Sequence, residues 1–342
     1  MSIDVLVVGV DSTRGWTEAA AELAASVRRA GASAEVASTG PVPKVRTFAL
    51  TDFTEARMAR RAAQRGIAQH DPRAMIFMSI TAALLWPRPG AISLDSIAAE
   101  NRPGRHGVWQ RSVERRRLAQ APLLLVWSDH TLDPLRTAHA PASLVPFPVD
   151  AGPGGDQVRD IDVLTYAGDP EKRRLGHMLA AWERVRRPGE TLVVAGFDGL
   201  GFEGLGSDGG AGPEGVRSTG RVTRQEFRLL LSRARVFAAA PRREDYGIAA
   251  LEALAAGCQL VTTPAPGPYP ARDIASEVDP RLVSEDIGPA LRIALDDPID
   301  DYADRAAERL RPFATESVDR AVAETVLPRL LPAWSSTPAL RA

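Results

Sequence analysis

Residues 4–10 read DVLVVGV, a run that after Asp4 is apolar without any polar alternation. A strand with apolar side chains on both faces must be covered on both, which is the condition of a parallel sheet between helices. Working outward, a glycine-containing loop follows at 11–16, then 17–29 with alanines and leucines at helical spacing and Gly31 as a stop. Val36 belongs to the next strand. Further strands are predicted at 45–49, 74–80, 91–94, 123–127 and 143–149, with helices at 53–65 and 108–119 between them. At 150–157 the chain becomes DAGPGGDQ, a linker composition. The alternation then restarts: strand 163–166, helix 175–186, strand 191–195, and a loop over 197–215 that holds eight glycines. Helix 224–232, strand 236–239, helix 248–256, strand 259–262 and helix 287–295 complete it. The pattern predicts an α/β protein of two Rossmann-like domains facing a cleft. The first spans 1–150 and the second 158–316, joined by a linker at 151–157. A helical tail at about 317–342 is expected to pack back on the first domain.

Composition agrees with two ordinary globular domains: 342 residues, 44% apolar and 25% charged. A net charge of −1 gives no electrostatic footprint of a nucleic-acid binder. The single Cys258 excludes an internal disulfide or a cysteine-cluster zinc site and fits a reducing compartment. The opening residues lack the pattern of a signal peptide, and no apolar run reaches the length of a membrane span. A cytoplasmic location is the expectation. Of 42 basic side chains only Lys44 and Lys172 are lysines, and a compact ammonium is not always replaceable by a planar guanidinium.

The stretch richest in chemistry is 241–257, PRREDYGIAALEALAAG. Glu244 precedes a turn, Gly247 stands where the backbone must pass close to something, and Glu252 lies inside an alanine-rich helix. The amides of that helix's first turn, at the positive end of its dipole, suit a diphosphate. A carboxylate one turn in can accept from a ribose diol, and one before the turn can orient sugar hydroxyls. An alanine-rich helix carrying solvated glutamates is the alternative reading of the same residues.

Glutamate, seven residues, glutamate, with an aromatic–glycine pair between and EALAAG after, resembles the retaining glycosyltransferases of GT-B fold, family 4 (glycosyl transferases group 1). The resemblance extends over DVLTYAGDPEKRRLGHMLAAW at 162–182, LVVAGFD at 192–198, STGRV at 218–222 and VSEDIGPALRIALDDP at 283–298. It is weak over the first 150 residues. It implies a transferase that moves a sugar from a nucleotide-sugar donor, UDP- or GDP-linked, to an acceptor hydroxyl with retention of configuration. It also implies that no metal or other cofactor is needed. Glu252 would hold the ribose and Glu244 the transferred sugar, with Tyr246, Gly247 and Ile248 beside the sugar or phosphates. Gly220, Arg221 and Val222 would border the base. Where the family has a Gly-Arg pair and a lysine to clamp the diphosphate, this chain has Gly168 followed by Asp169. Lys172 stands near the lysine position, and Arg173 or Arg174 would supply the second cation.

In the first domain, Gly15 lies in the loop that the family brings to the donor phosphates. Trp16 suits either an acceptor ring or packing. Asp95, at the end of the strand 91–94, is a candidate base for the acceptor hydroxyl, and His106 lies in a plausible acceptor loop. Residues 102–117, RPGRHGVWQRSVERRR, hold six arginines against one glutamate. They read as a solvated basic helix face, with an anionic acceptor or a peripheral contact with anionic membrane as the alternative. The spellings around Asp160–162 and 296–301 that resemble metal-binding DxD motifs read as turn acids. A sugar-nucleotide epimerase or hydrolase, or a non-catalytic sugar-nucleotide-binding protein, would carry the same second-domain features.

Overall fold

The computed structural model describes residues 2–43, 47–102, 104–135, 140–150, 158–198, 214–332 and 334. The linker expected at 151–157 and most of the glycine-rich loop, 199–213, lie outside the described residues. The chain forms two compact units, Met1–Pro148 with Pro312–Ala342, and Val149–Arg311.

Unit 1 is built on a six-stranded parallel sheet of β1 (Val5–Asp11), β2 (Ala34–Pro41), β3 (Ala74–Phe77), β4 (Ala91–Leu94), β5 (Leu124–Val126) and β6 (Ala142–Leu144), in the order β2-β1-β3-β4-β5-β6. Every residue from Val5 to Val8 is fully buried, so β1 is covered on both faces. Its helices are α1 (Arg14–Arg29), α2 (Phe48–His70), α3 (Ile80–Ala83), α4 (Ala98–Asn101), α5 (Val108–Gln120) and α6 (Asp129–Leu135). Two strand expectations are cut back here for the same reason, an N-cap hydroxyl; of 45–49, residues 45 and 46 lie outside the described residues. Thr47 accepts the Leu50 N–H and starts α2, so Phe48 and Ala49 are helical. Ser79 accepts the Ala82 N–H and starts α3, which ends β3 at Phe77.

Unit 2 carries β7 (Ile161–Tyr166), β8 (Leu192–Ala195), β9 (Val216–Gly220), β10 (Ala234–Ala239) and β11 (Gln259–Thr262), all parallel, in the order β11-β10-β7-β8-β9. Around it lie α7 (Leu175–Val185), α8 (Arg224–Arg233), α9 (Ile248–Ala255), α10 (Pro270–Val278), α11 (Ile287–Asp296) and α12 (Tyr302–Leu310). The order is doubly wound. The chain runs from β7 out through β8 to β9, then crosses back to lay β10 on the other side of β7. Ligands of such sheets bind outside the carboxyl ends of the two strands where the direction reverses, here β7 and β10.

After unit 2, α13 (Thr315–Ala321), a π-helical turn (Val322–Val326) and α14 (Leu327–Leu330) lie against unit 1. Asp319 accepts from Ser26 Oγ at 2.6 Å and from the Arg29 guanidinium, and Arg329 donates to Ser143. Among the described residues no helix is long and apolar enough to cross a membrane.

One buried acid makes unit 1 sensitive to pH. Glu114 on α5 is 4% exposed and accepts the Ala98 N–H at the start of α4 with both oxygens, at 3.1 and 2.9 Å. Burial pushes its pKa up to about 7. Between its ordinary value near 4.5 and about 7 the folded chain keeps the proton while the unfolded chain releases it. This group's contribution to stability is therefore full in acid and falls as pH rises toward neutrality, by on the order of 3 kcal/mol. Urea denaturation at pH 5 and pH 8 checks this: Glu114→Gln, which keeps an acceptor for Ala98, is expected to reduce the pH dependence, with Glu55, which burial also pushes up to about 7, supplying the remainder.

Candidate functional site

The strand β7 ends at Tyr166, and the two glycines nearby exist to make room for its ring. A Cβ on Gly168 would lie 2.5 Å from the Tyr166 hydroxyl, and one on Gly196 would lie 2.4 Å from the ring. Beyond Gly168 the chain makes a turn in which Asp169 Oδ1 accepts the Lys172 N–H and the Asp169 carbonyl accepts the Arg173 N–H. Arg174 then takes a left-handed conformation at φ 50° and starts α7. The Arg242 N–H donates to the Lys172 carbonyl at 3.0 Å, tying the loop after β10 to the loop after β7.

That tie brings Arg173 to Glu244. The guanidinium forms an ion pair with Glu244 Oε2. Glu244 has 7% of its side chain exposed and Arg173 24%. Loss of water lowers the guanidinium's pKa below the usual arginine range. The backbone beside them is equally constrained. Glu244 N–H donates to the Pro266 carbonyl, and a Cβ on Gly267 (φ 113°) would lie 2.2 Å from the Glu244 carbonyl. Gly247 (φ 78°) precedes α9 in the left-handed region, where a Cβ would lie 2.6 Å from the Tyr269 ring. No side chain caps α9, so its leading amides stand beside a narrow pocket lined by Thr165, Tyr166, Arg173, Glu244, Gly247 and Tyr269 among others. Tyr269 is buried, which raises its pKa, and its hydroxyl bonds to Thr262 Oγ1. A cation, a carboxylate and free amides around one pocket can bind an anion next to a hydroxyl-bearing group.

Glu252 is placed differently. It is 6% exposed but does not line that pocket. Its Oε1 receives Nε of Arg224 at 2.9 Å and Nε of Arg228 at 3.4 Å, both from α8. These two arginines escaped the sequence reading, although their i, i+4 spacing on one helix face was a usable signal. Lys172 is exposed and Arg174 half-buried, so of the three consecutive cations the fold turns Arg173 to Glu244. Tyr246 is buried and Ile248 half-buried on either side of Gly247. Gly220 (φ 66°) ends β9, a strand that the sequence reading does not include. The Arg221 N–H donates to Asp198 Oδ1, and Val222 is half-buried.

In unit 1, Gly15 sits in the first turn of α1, and the Trp16 ring packs on Trp127 with centroids 5.3 Å apart. Asp95 is half-buried after β4 and accepts from Ser96 Oγ. The side chain of His106 lies outside the described residues. Asp160 pairs with Arg233, Asp162 with Arg235, and Asp296 with Arg187 and Arg292. Among the described residues no three metal-binding side chains cluster.

Two parallel-sheet α/β units of this kind define the GT-B class of fold, and solved structures of that class match along nearly the whole chain. Sucrose-phosphate synthase from Thermosynechococcus elongatus has a TM-score of 0.70 at 16% identity, over 93% of this chain and 96% of that one. WaaG, a glycosyltransferase of lipopolysaccharide biosynthesis, has a TM-score of 0.65 at 15% identity over 96% and 100%. The trehalose 6-phosphate synthase of Burkholderia multivorans has 0.64 at 12% over 96% and 98%. In sequence, the family described as glycosyl transferases group 1 matches residues 162–297, the stretch that contains Gly168, Arg173, Glu244, Gly247 and Glu252. No curated protein matches the chain.

A desolvated pair of this kind is strongly asymmetric. Arg173→Met leaves a buried carboxylate without its counter-charge and is expected to cost about 3–5 kcal/mol. Adding Glu244→Gln should recover most of that. A double-mutant cycle by urea denaturation measures the coupling, and additive single losses would show that the two side chains do not depend on each other.

Proposed function

We propose that this chain is a retaining, metal-independent glycosyltransferase acting on a nucleotide-sugar donor bound to unit 2. The observation that carries this reading is the Arg173–Glu244 pair. It lies where β7 and β10 part, beside the uncapped start of α9, within the segment that matches glycosyl transferases group 1. Arg173 and the α9 amides would meet the donor diphosphate. Charge builds on that group as the bond from the sugar's anomeric carbon to phosphate oxygen breaks, so fixed donors there favour the transition state over the ground state. The acceptor oxygen would bond to the same face of the anomeric carbon while its proton passes to the departing phosphate, which preserves configuration. Glu244 would hold the hydroxyls of the transferred sugar.

Glu252 keeps Oε2 for the ribose while Arg224 and Arg228 hold Oε1. Lys172, exposed one residue from Arg173, would supply a second cation to the diphosphate. A uridine donor is the first choice. One fold neighbour, at 14% identity with a TM-score of 0.63, is a UDP-forming trehalose-phosphate synthase from Burkholderia xenovorans. Another, at 11% with 0.53, is an O-GlcNAc transferase in complex with UDP and GlcNAc.

The two glutamates are expected to fail differently. Glu252→Ala should weaken UDP and UDP-sugar alike, by about tenfold to a hundredfold for one charged hydrogen bond. Glu244→Ala should leave UDP affinity nearly unchanged and depress turnover. Calorimetry with UDP and a transfer assay separate them once circular dichroism shows both variants folded. Unchanged nucleotide affinity in both would remove the reading's main support. Activity is also expected to survive EDTA, and loss restored by magnesium or manganese would overturn metal independence.

A further inference from the structure

The basic segment at 102–117 takes on a different meaning once α2 is seen beside it. The three acids on these two helices all turn inward. Asp52 is buried in a two-point pair with Arg102, Glu114 is buried against Ala98, and Glu55 is half-buried. The outward stripe of α2 carries Leu50, Phe53, Arg57, Arg60 and Arg61, and α5 adds exposed Val108, Arg115 and Arg116. The Phe53 ring meets Trp109 edge-on at 6.3 Å, so the two stripes form one surface. Arg57 lies over the Phe53 ring, and Arg60 and Arg116 are close enough to Arg117 to raise the local positive potential around it.

Two features make this surface unusual for the chain. Among the described residues five large apolar side chains stand exposed, and three of them are Leu50, Phe53 and Val108, at 52, 42 and 53%. No ion pair among the described residues joins Arg57, Arg61, Arg115 or Arg116 to a carboxylate, whereas most arginines of unit 2 are so joined.

We propose that this α2–α5 face docks on an anionic lipid bilayer. Its aliphatic and aromatic tips would enter the headgroup boundary while the surrounding guanidiniums meet lipid phosphates. An aliphatic Leu50 and Val108 offer a nucleic acid nothing to stack on, whereas the acyl boundary accepts them. The proposal is independent of the reaction assigned to unit 2.

Flotation of the full chain with vesicles tests it. Phosphatidylcholine vesicles containing about one third phosphatidylglycerol are expected to carry the protein. Pure phosphatidylcholine is not, and raised salt should weaken binding by screening. Arg57→Ser with Arg61→Ser, and separately Arg115→Ser with Arg116→Ser, should each weaken flotation roughly 25-fold, about fivefold per arginine. Leu50→Ser should remove the part of the binding that persists in high salt. The two arginine pairs sit on different helices, so misfolding of one variant leaves the other as the test. No flotation, equal flotation on neutral vesicles, or wild-type flotation of both pairs would overturn the proposal. So would tighter binding of a single-stranded RNA lost in the same two variants.

Discussion

Glu244 lies almost wholly out of water, where a lone carboxylate loses several kcal/mol of hydration; Arg173, itself poorly solvated, is what makes the position tenable. The two side chains come from loops on either side of the crossing point of the unit 2 sheet, so their pairing fixes those loops against each other. The Arg242 to Lys172 backbone bond does the same at the level of the main chain. Around this clamp the glycines follow as consequences. Gly267 must leave the Glu244 carbonyl room, Gly247 must clear Tyr269, and Gly168 with Gly196 must clear Tyr166. A side chain at any of the four would displace backbone or an aromatic ring on which the clamp rests.

The clamp also sets the charge that an incoming ligand meets. A bare Glu244 would repel a diphosphate; paired with Arg173 it is locally neutral, and the uncapped amides of α9 then tip the pocket toward anions. Glu252 is treated in the opposite way. Two guanidiniums on one carboxylate oxygen leave that end of the region with a net positive charge. A hydroxyl pair approaching Glu252 must share it with Arg224 and Arg228. An acceptor held by two donors has its orientation set before any ligand arrives, at the expense of part of its capacity to accept.

What was legible in the sequence was what depends on local pattern. β4 and β11 fall on the residues that their apolar runs delimit, and Glu244, Gly247 and Glu252 stand out through their spacing together with the family resemblance. What was not legible depends on direction. In Lys172-Arg173-Arg174 three cations follow one another, and only the turn closed by Asp169 and the left-handed Arg174 decide that the middle one reaches Glu244. The strand expected at 45–49 gave way over its last residues because one hydroxyl, Thr47, outweighs a short apolar run. The nine-residue helices α10 and α12 were missed, the first behind the proline-rich PAPGPYP at 264–270. Arg224 and Arg228 were passed over for a reason of composition: in a chain with 40 arginines, no single one attracts notice.

That abundance supplies its own discriminator. Where arginine is the default cation, its presence says little and its partner says much. Arg233 with Asp160, Arg187 with Asp296 and Arg184 with Asp286 are exposed or half-exposed pairs that contribute little, and they describe an ordinary solvated surface. Arg173 and Arg224 differ because their partners are buried, so breaking either pair would leave a desolvated carboxylate. Arg57, Arg61, Arg115 and Arg116 differ in the other direction, for their helices hide every acid that could have balanced them. Like charges gathered on one face slightly destabilise a folded chain, and exposed apolar groups among them add no compensating burial. Among the described residues no carboxylate pairs with these four arginines, and the lipid phosphates proposed above would supply that counter-charge.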